Sequence, residues 1–283
     1  MKVCFVASGP ITWASARIRA YWVAEQMENA TVSHFEDTEF PLADVYIFQK
    51  SFNFTLAQVA RKDGRKVWWD VCDPMWWFSP NETREILTHV DGVVCSTQGL
   101  ADDFNQGIGR EMGITAYVIP DRINPAHFPI KREHRDTDPV RFIWFGMAQN
   151  RVALAGAWAN LHRLVSIGHN IELTVFDNRP GVELGYGKEF PIYYKKWRLE
   201  EENAVVAAHD VALLPPYPGP WGAVKSDNKA QTAHACGLPV ATGHSYDFMV
   251  EMMNANKRGY AIPPTMENVS QSATEWETLL CSA

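Results

Sequence analysis

Two lysines, a hydroxyl and an amide stand together in Lys225-Ser226-Asp227-Asn228-Lys229, directly before the small-residue run Ala230-Gln231-Thr232-Ala233-His234-Ala235. Cys236-Gly237-Leu238-Pro239-Val240 follows, so the stretch reads as a loop, a short helix and a turn into a buried strand. Backbone N–H groups at a helix N-terminus carry partial positive charge, and flanking ammonium groups add to it. The segment can therefore hold a phosphate or diphosphate. The same letters also serve as an ordinary helix cap, Lys-Ser-Asp-Asn, and an ordinary helix stop, Gly-Leu-Pro.

Other residues could join that chemistry. Gly9, in Ser8-Gly9-Pro10, and Gly146, in Phe145-Gly146-Met147, each follow an apolar run, where a glycine lets the backbone approach a ligand closely. Neither loop has the dinucleotide fingerprint Gly-x-Gly-x-x-Gly, which disfavours hydride transfer from a nicotinamide. Arg17 and Arg19 lie in or just before the helix after the Gly9 loop, and a planar guanidinium suits phosphate or carboxylate. Arg17 is the preferred candidate of the two; the alternative for either is a surface ion pair with Glu25 or Glu28. Asp73, past a strand end and held extended by Pro74, can bind an acceptor hydroxyl or assist its deprotonation, or simply form a turn. Trp68, Trp69, Trp76 and Trp77 cluster around it, some as core and some as faces for stacking on sugar rings or bases.

The remaining candidates are weaker. His209 and His234 read as satisfied helix residues, and His244 follows the Val240 strand. No His, Cys, Asp or Glu cluster has metal spacing, so no metal and no cofactor are expected. The nucleophile elbow Gly-x-Ser-x-Gly of a Ser-His-Asp hydrolase is missing.

Short apolar runs alternating with helix-compatible segments must position these residues, which is the pattern of parallel strands joined by crossover helices. Strands are expected at Lys2–Ala7, Val45–Phe48, Lys66–Trp69, Gly92–Cys95 and Ala116–Ile119. A second series is expected at Val140–Phe145, Glu172–Phe176, Pro191–Tyr194, Val211–Leu214 and Pro239–Ala241. The polar stretch between them reads as a linker, which divides the chain into 1–130, a 131–139 linker and 140–283. The expected fold is α/β, two Rossmann-like doubly wound domains facing across a cleft at the strand ends.

Composition sets the outer bounds. The 283 residues, 46% hydrophobic and 21% charged, suit a soluble protein of two domains. A net charge of −7 gives no electrostatic footprint for nucleic acid, although it leaves room for a local basic groove. The apolar run at the N-terminus is too short for a signal peptide or a span, so a cytoplasmic location with no membrane span is expected. Cys4, Cys72, Cys95, Cys236 and Cys281 are scattered and read as reduced core residues.

Several segments in this order resemble a GT-B-fold glycosyltransferase of the retaining family-four kind. They are Ser15-Ala16-Arg17-Ile18-Arg19, Trp69-Asp70-Val71-Cys72-Asp73-Pro74, Val93 to Leu100, Val118-Ile119-Pro120-Asp121-Arg122-Ile123, Trp144-Phe145-Gly146, Asp210 to Pro215, and Asn228-Lys229 through Val240. The resemblance implies transfer of a sugar from a nucleotide-diphosphate sugar to a hydroxyl acceptor, with retention and without a metal. The donor would sit on the second domain and the acceptor on the first. Lys225, Asn228 and Lys229 would then neutralise charge on the leaving diphosphate, Ser226 would donate to a phosphate oxygen, and Gly146 would let its loop approach the donor. Asp73 would face the acceptor hydroxyl and act in catalysis with Arg17 and Lys229, and Gly9 and Thr232 would join the donor-binding set. Family members carry two glutamates around this segment; here Thr232 stands at the second, and the first falls near Val224 or Lys225. The acceptor stays open among glycan, metabolite and modified DNA base. The alternatives are a nucleotide-sugar-binding protein without turnover and a nucleotide-sugar epimerase of the same fold.

Overall fold

The computed structural model describes residues 1–134, 136–181, 189–258 and 268–282. The chain divides into two compact units, one of Met1–Asn124, Ala223–Ser226 and Glu267–Ala283, the other of Pro125–Gly222 and Asp227–Met266.

The first unit is built on a six-stranded parallel sheet. Its strands are β1 (Val3–Ala7), β2 (Ala30–His34), β3 (Val45–Gln49), β4 (Lys66–Val71), β5 (Gly92–Cys95) and β6 (Ala116–Val118), in the order β2-β1-β3-β4-β5-β6. β1, β3 and β5 are buried at every position, as near-continuous apolar strands covered on both faces must be. Edge strand β2 was not expected. Its Ala-Thr-Val-Ser-His sequence is largely polar and mostly half-buried, so it lacks that signature.

The second unit carries a five-stranded parallel sheet of β7 (Val140–Gly146), β8 (Ile171–Asp177), β9 (Ile192–Lys196), β10 (Val211–Leu213) and β11 (Val240–Ala241), ordered β11-β10-β7-β8-β9. Its core joins Phe142, Trp144, Leu173 and Val175 to Leu154, Leu161 and Leu164 from the turn and helix after β7.

Two parts of the expected domain division differ from this arrangement. The helix Val269–Ser282 belongs to the first unit, where Trp276 sets its ring edge-on to Phe5 and Trp68 at centroid distances of 6.2 and 6.3 Å. Burying that indole, 1% exposed, is what draws the C-terminal segment back. The 131–139 stretch is not a solvated linker throughout. Arg132 is buried and pairs with Asp210, which also accepts from Arg141, and it donates to Asn256 at 2.9 Å. A fully buried carboxylate requires such partners, and the charged stretch supplies one. Arg135 of that stretch lies outside the described residues.

His209 joins two elements of the second unit. Its Nδ1–H donates to the Val205 carbonyl at 2.7 Å, which leaves Nε2 to accept from the Thr174 hydroxyl at 2.8 Å. Burial holds its pKa down, at about 4. A histidine whose folded pKa lies below its unfolded value of about 6.5 keeps its full contribution above that value and loses it as the pH falls. Stability should therefore drop by about 2 kcal/mol between pH 7 and pH 5 on this group's account. Urea titrations at both pH values check this, with His209→Gln expected to flatten the difference.

Candidate functional site

In the second unit, Gly146 ends β7 at the carboxyl edge of the sheet, with φ +153°. A Cβ built there would lie 3.5 Å from Lys229 Nζ and 3.6 Å from the Trp144 ring. Lys229 belongs to the first turn of the helix Asn228–Ala235, and its ammonium lies 5.8 Å from the Trp144 ring centroid. The structure thus brings together the two residues that the sequence singled out separately. The Asp227 side chain makes no capping bond to this helix; its carboxylate accepts instead from Gln231 at 2.7 Å. The backbone amides at this N-terminus accordingly receive no carboxylate from their own cap, and Asn228 stands half-buried beside Lys229. Gly237, at φ +84°, ends the helix, and Leu238 N–H closes back on Ala233 at 2.9 Å.

Thr232, placed by the resemblance where a ribose-gripping acid is expected, is buried at 7% exposure one turn into the helix. It contributes packing. Arg151, which the sequence reading missed, holds Asp177 through a paired contact, with NH2–Oδ1 at 2.8 Å, and Asp177 pairs in register with Gly146. The buried ion pair stiffens the loop after Gly146 from below. One arginine in a 3₁₀ turn gave no signal in advance.

In the first unit, the Gly9 loop is fastened by Gln49, whose Oε1 accepts from Ser8 N and Oγ at 3.2 and 2.9 Å. The space that a Gly9 side chain would occupy is taken by the Trp13 ring, 2.4 Å from a built Cβ. The glycine here serves that packing. Arg17 and Arg19 lie in a π-helical turn, Arg17–Tyr21, an insertion that re-aims side chains. Both are buried, but Arg19 is the hub. It bonds Asp70 through Nε–Oδ2 at 2.8 Å and NH2–Oδ1 at 2.5 Å, Asp121 at 2.7 Å and the Ile119 carbonyl at 3.0 Å. Arg17 reaches the Ile11 and Thr12 carbonyls only at 3.4 and 3.5 Å and lies over Trp22. The geometry gives Arg19 the buried carboxylate partners, and leaves Arg17 beside carbonyls and the Trp22 ring.

Asp73 does not stand open as an acceptor-side base. Its carboxylate accepts from Lys50 and from Lys225, and both lysines belong to the same unit. Burial would raise its pKa, but the two ammonium groups override that and hold it below the usual carboxylate range. A carboxylate so held is a poor proton acceptor. Lys50 was not anticipated. Against the opposing effect of burial, Cys72 and Asp73 raise its pKa to about 12. Ser226, expected on a phosphate, donates to Asp121 Oδ2 at 2.5 Å. Of the tryptophans near Asp73, Trp68 and Trp69 are core, whereas Trp77 is 40% exposed and shares Asp103 with Trp76. Only Trp77 of the four keeps a broad face for stacking.

Among the described residues, no group of three His, Cys, Asp or Glu side chains could hold a metal ion, and no helix is long and apolar enough to cross a membrane.

No family model matches the chain, and no curated protein matches it in sequence. Solved structures do match. An α-glucosyltransferase in complex with UDP-glucose and DNA containing an abasic site superposes with a TM-score of 0.71 at 9% identity, covering 99% of this chain and 99% of that one. An α-glucosyltransferase in complex with UDP and a 13-mer DNA containing an HMU base gives 0.64 at 10%, covering 98% and 94%. A protein from Listeria monocytogenes described as a UDP-N-acetylglucosamine 2-epimerase gives 0.56 at 9%, covering 99% and 96%. Two parallel sheets, in these strand orders and matched over nearly the full length, identify the GT-B fold in this chain.

Proposed function

We propose that this chain is a glycosyltransferase that moves a sugar from a nucleotide-diphosphate sugar to a hydroxyl acceptor, with retention of anomeric configuration. The observation that carries the reading is Gly146 beneath the Lys229 ammonium, at the first turn of the helix Asn228–Ala235 and at the carboxyl end of β7. A diphosphate placed there would meet a point charge and a helix N-terminus, which is how charge growing on a leaving group is stabilised. Lys229 and the amides would act on the leaving diphosphate, while the Arg151–Asp177 pair would keep the Gly146 loop in place. With Asp73 held as a poor base, the acceptor proton would pass to the departing diphosphate itself.

Structural neighbours that hold UDP or UDP-glucose together with DNA support a uridine donor and a hydroxyl on a modified DNA base as acceptor. The test is calorimetric titration with UDP and UDP-glucose, followed by UDP release on adding an oligonucleotide with hydroxymethylated pyrimidines. We expect binding, acceptor-dependent release and an α-linked product from the α-linked donor. Failure to bind any of a panel of nucleotide sugars would sink the proposal. The similarity to the Listeria protein motivates a second reading, an epimerase, which would interconvert the free donor with no acceptor present.

A further inference from the structure

We propose that Lys50, Asp73 and Lys225 form an anion-exchange site, in which the Asp73 carboxylate holds the two ammonium groups until a phosphoryl oxyanion displaces it from Lys225. All three residues belong to the first unit. They border a charge-balanced network of three cations, Arg19, Lys50 and Lys225, and three carboxylates, Asp70, Asp73 and Asp121. A further anion that reaches one of these cations competes there with a resident carboxylate.

Exposure selects the place. The Arg19, Asp70 and Asp121 side chains are 3%, 0% and 3% exposed, so their contacts are sealed. Lys225 is 34% exposed and Asp73 12%, which makes theirs the contact that solvent and ligands reach. Lys50 remains on Asp73 when Lys225 turns to a ligand, so the carboxylate is not left without a cation during the exchange. Lys50, 21% exposed, supplies the second ammonium from the end of β3. Its backbone is left-handed at φ +52°, a conformation uncommon and strained outside glycine. That turn directs Nζ to Asp73, where a regular continuation of the strand would carry the side chain elsewhere. A phosphoryl group offers more acceptor oxygens than the carboxylate it replaces and can engage both ammonium groups.

The inference concerns a site within the first unit, and rests on the donor reading only for which phosphate arrives. The shared chemistry is a phosphoryl oxyanion, from a nucleotide diphosphate or from a nucleic-acid backbone. Inorganic pyrophosphate is the first probe, titrated calorimetrically into the full chain. Lys225→Met keeps the Asp73–Lys50 pair and should weaken pyrophosphate roughly ten- to a hundredfold. Asp73→Asn removes the resident anion and should tighten it about three- to tenfold. Unchanged affinity in Lys225→Met, or unchanged or weaker affinity in Asp73→Asn, overturns the proposal. Should Asp73→Asn fail to fold, the Lys225→Met result decides alone.

Repeating the Lys225→Met comparison with UDP and with a short single-stranded oligonucleotide identifies the source by which of them loses affinity; if both bind and neither loses affinity, the proposal falls. UDP binding that depends on Lys229 but not on Lys225 or Asp73 would remove this inference and leave the donor reading intact. Lys225-dependent pyrophosphate binding without any nucleotide binding would do the reverse.

Discussion

Replacing Arg19 with methionine should destabilise the protein by about 3–5 kcal/mol, enough to unfold much of the first unit at ordinary temperature. The guanidinium is 3% exposed and is shared by two carboxylates, Asp70 at 0% and Asp121 at 3%. Methionine fills similar volume, so the deficit is electrostatic: two buried carboxylates lose their common cation. Burial already raises the Asp70 pKa against the pull of Arg19. Without Arg19 the rise must be larger, and a carboxyl group with a raised folded pKa regains stability as the pH falls towards that value. The deficit measured by urea unfolding should therefore shrink from pH 7 to pH 5. Asp70→Asn in the Arg19→Met background should restore part of it. Arg17→Met is the internal comparison: it leaves the Arg19 contacts to Asp70 and Asp121 in place, so its deficit should lack the pH dependence seen with Arg19→Met. An Arg19→Met variant within about 1 kcal/mol of the parent would show that the network is not what holds the sheet ends together.

That contrast also shows how far the sequence could be read. Arg17 and Arg19 are two residues apart and chemically identical, and the turn that sends one to Asp70 and Asp121 is π-helical. A 3.6-residue period cannot anticipate an inserted residue. The strands were legible because burial on both faces forces unbroken apolar runs, and β2 was not because an edge strand needs no such run. The C-terminal helix carried no mark of its destination, since a buried tryptophan looks the same whichever sheet it covers. In the candidate site, Gly146 and Lys229 could be singled out because an open strand end and a helix N-terminus each have a local signature. Lys50 and Arg151 were missed because what makes them matter is a partner far away in sequence. Gly9 shows the converse limit: a glycine was required, but by the Trp13 ring.

Lys229→Ala should weaken UDP binding roughly a hundredfold, a loss of about 3 kcal/mol, while leaving the unfolding midpoint without ligand nearly unchanged. The residue is half-buried on a helix of low amphipathic character, its ammonium near Trp144 and Gly146, so truncation opens no core cavity. What it removes is a charge-assisted contact to the diphosphate in a place partly shielded from water, where such contacts are stronger than on an open surface. Lys229→Arg separates charge from shape: if a positive charge over Gly146 is sufficient, most affinity returns, and if the compact ammonium is required, it does not. Gly146→Ala probes the same point from the strand side. Its methyl would find ordinary contact distances to Lys229 Nζ and the Trp144 ring at 3.5 and 3.6 Å, so a loss of UDP affinity there reflects backbone strain at φ +153° or the methyl meeting the diphosphate, and the unliganded unfolding midpoint separates the two. Calorimetry on these variants decides the matter. A Lys229→Ala protein that binds UDP as tightly as the parent would place the diphosphate elsewhere.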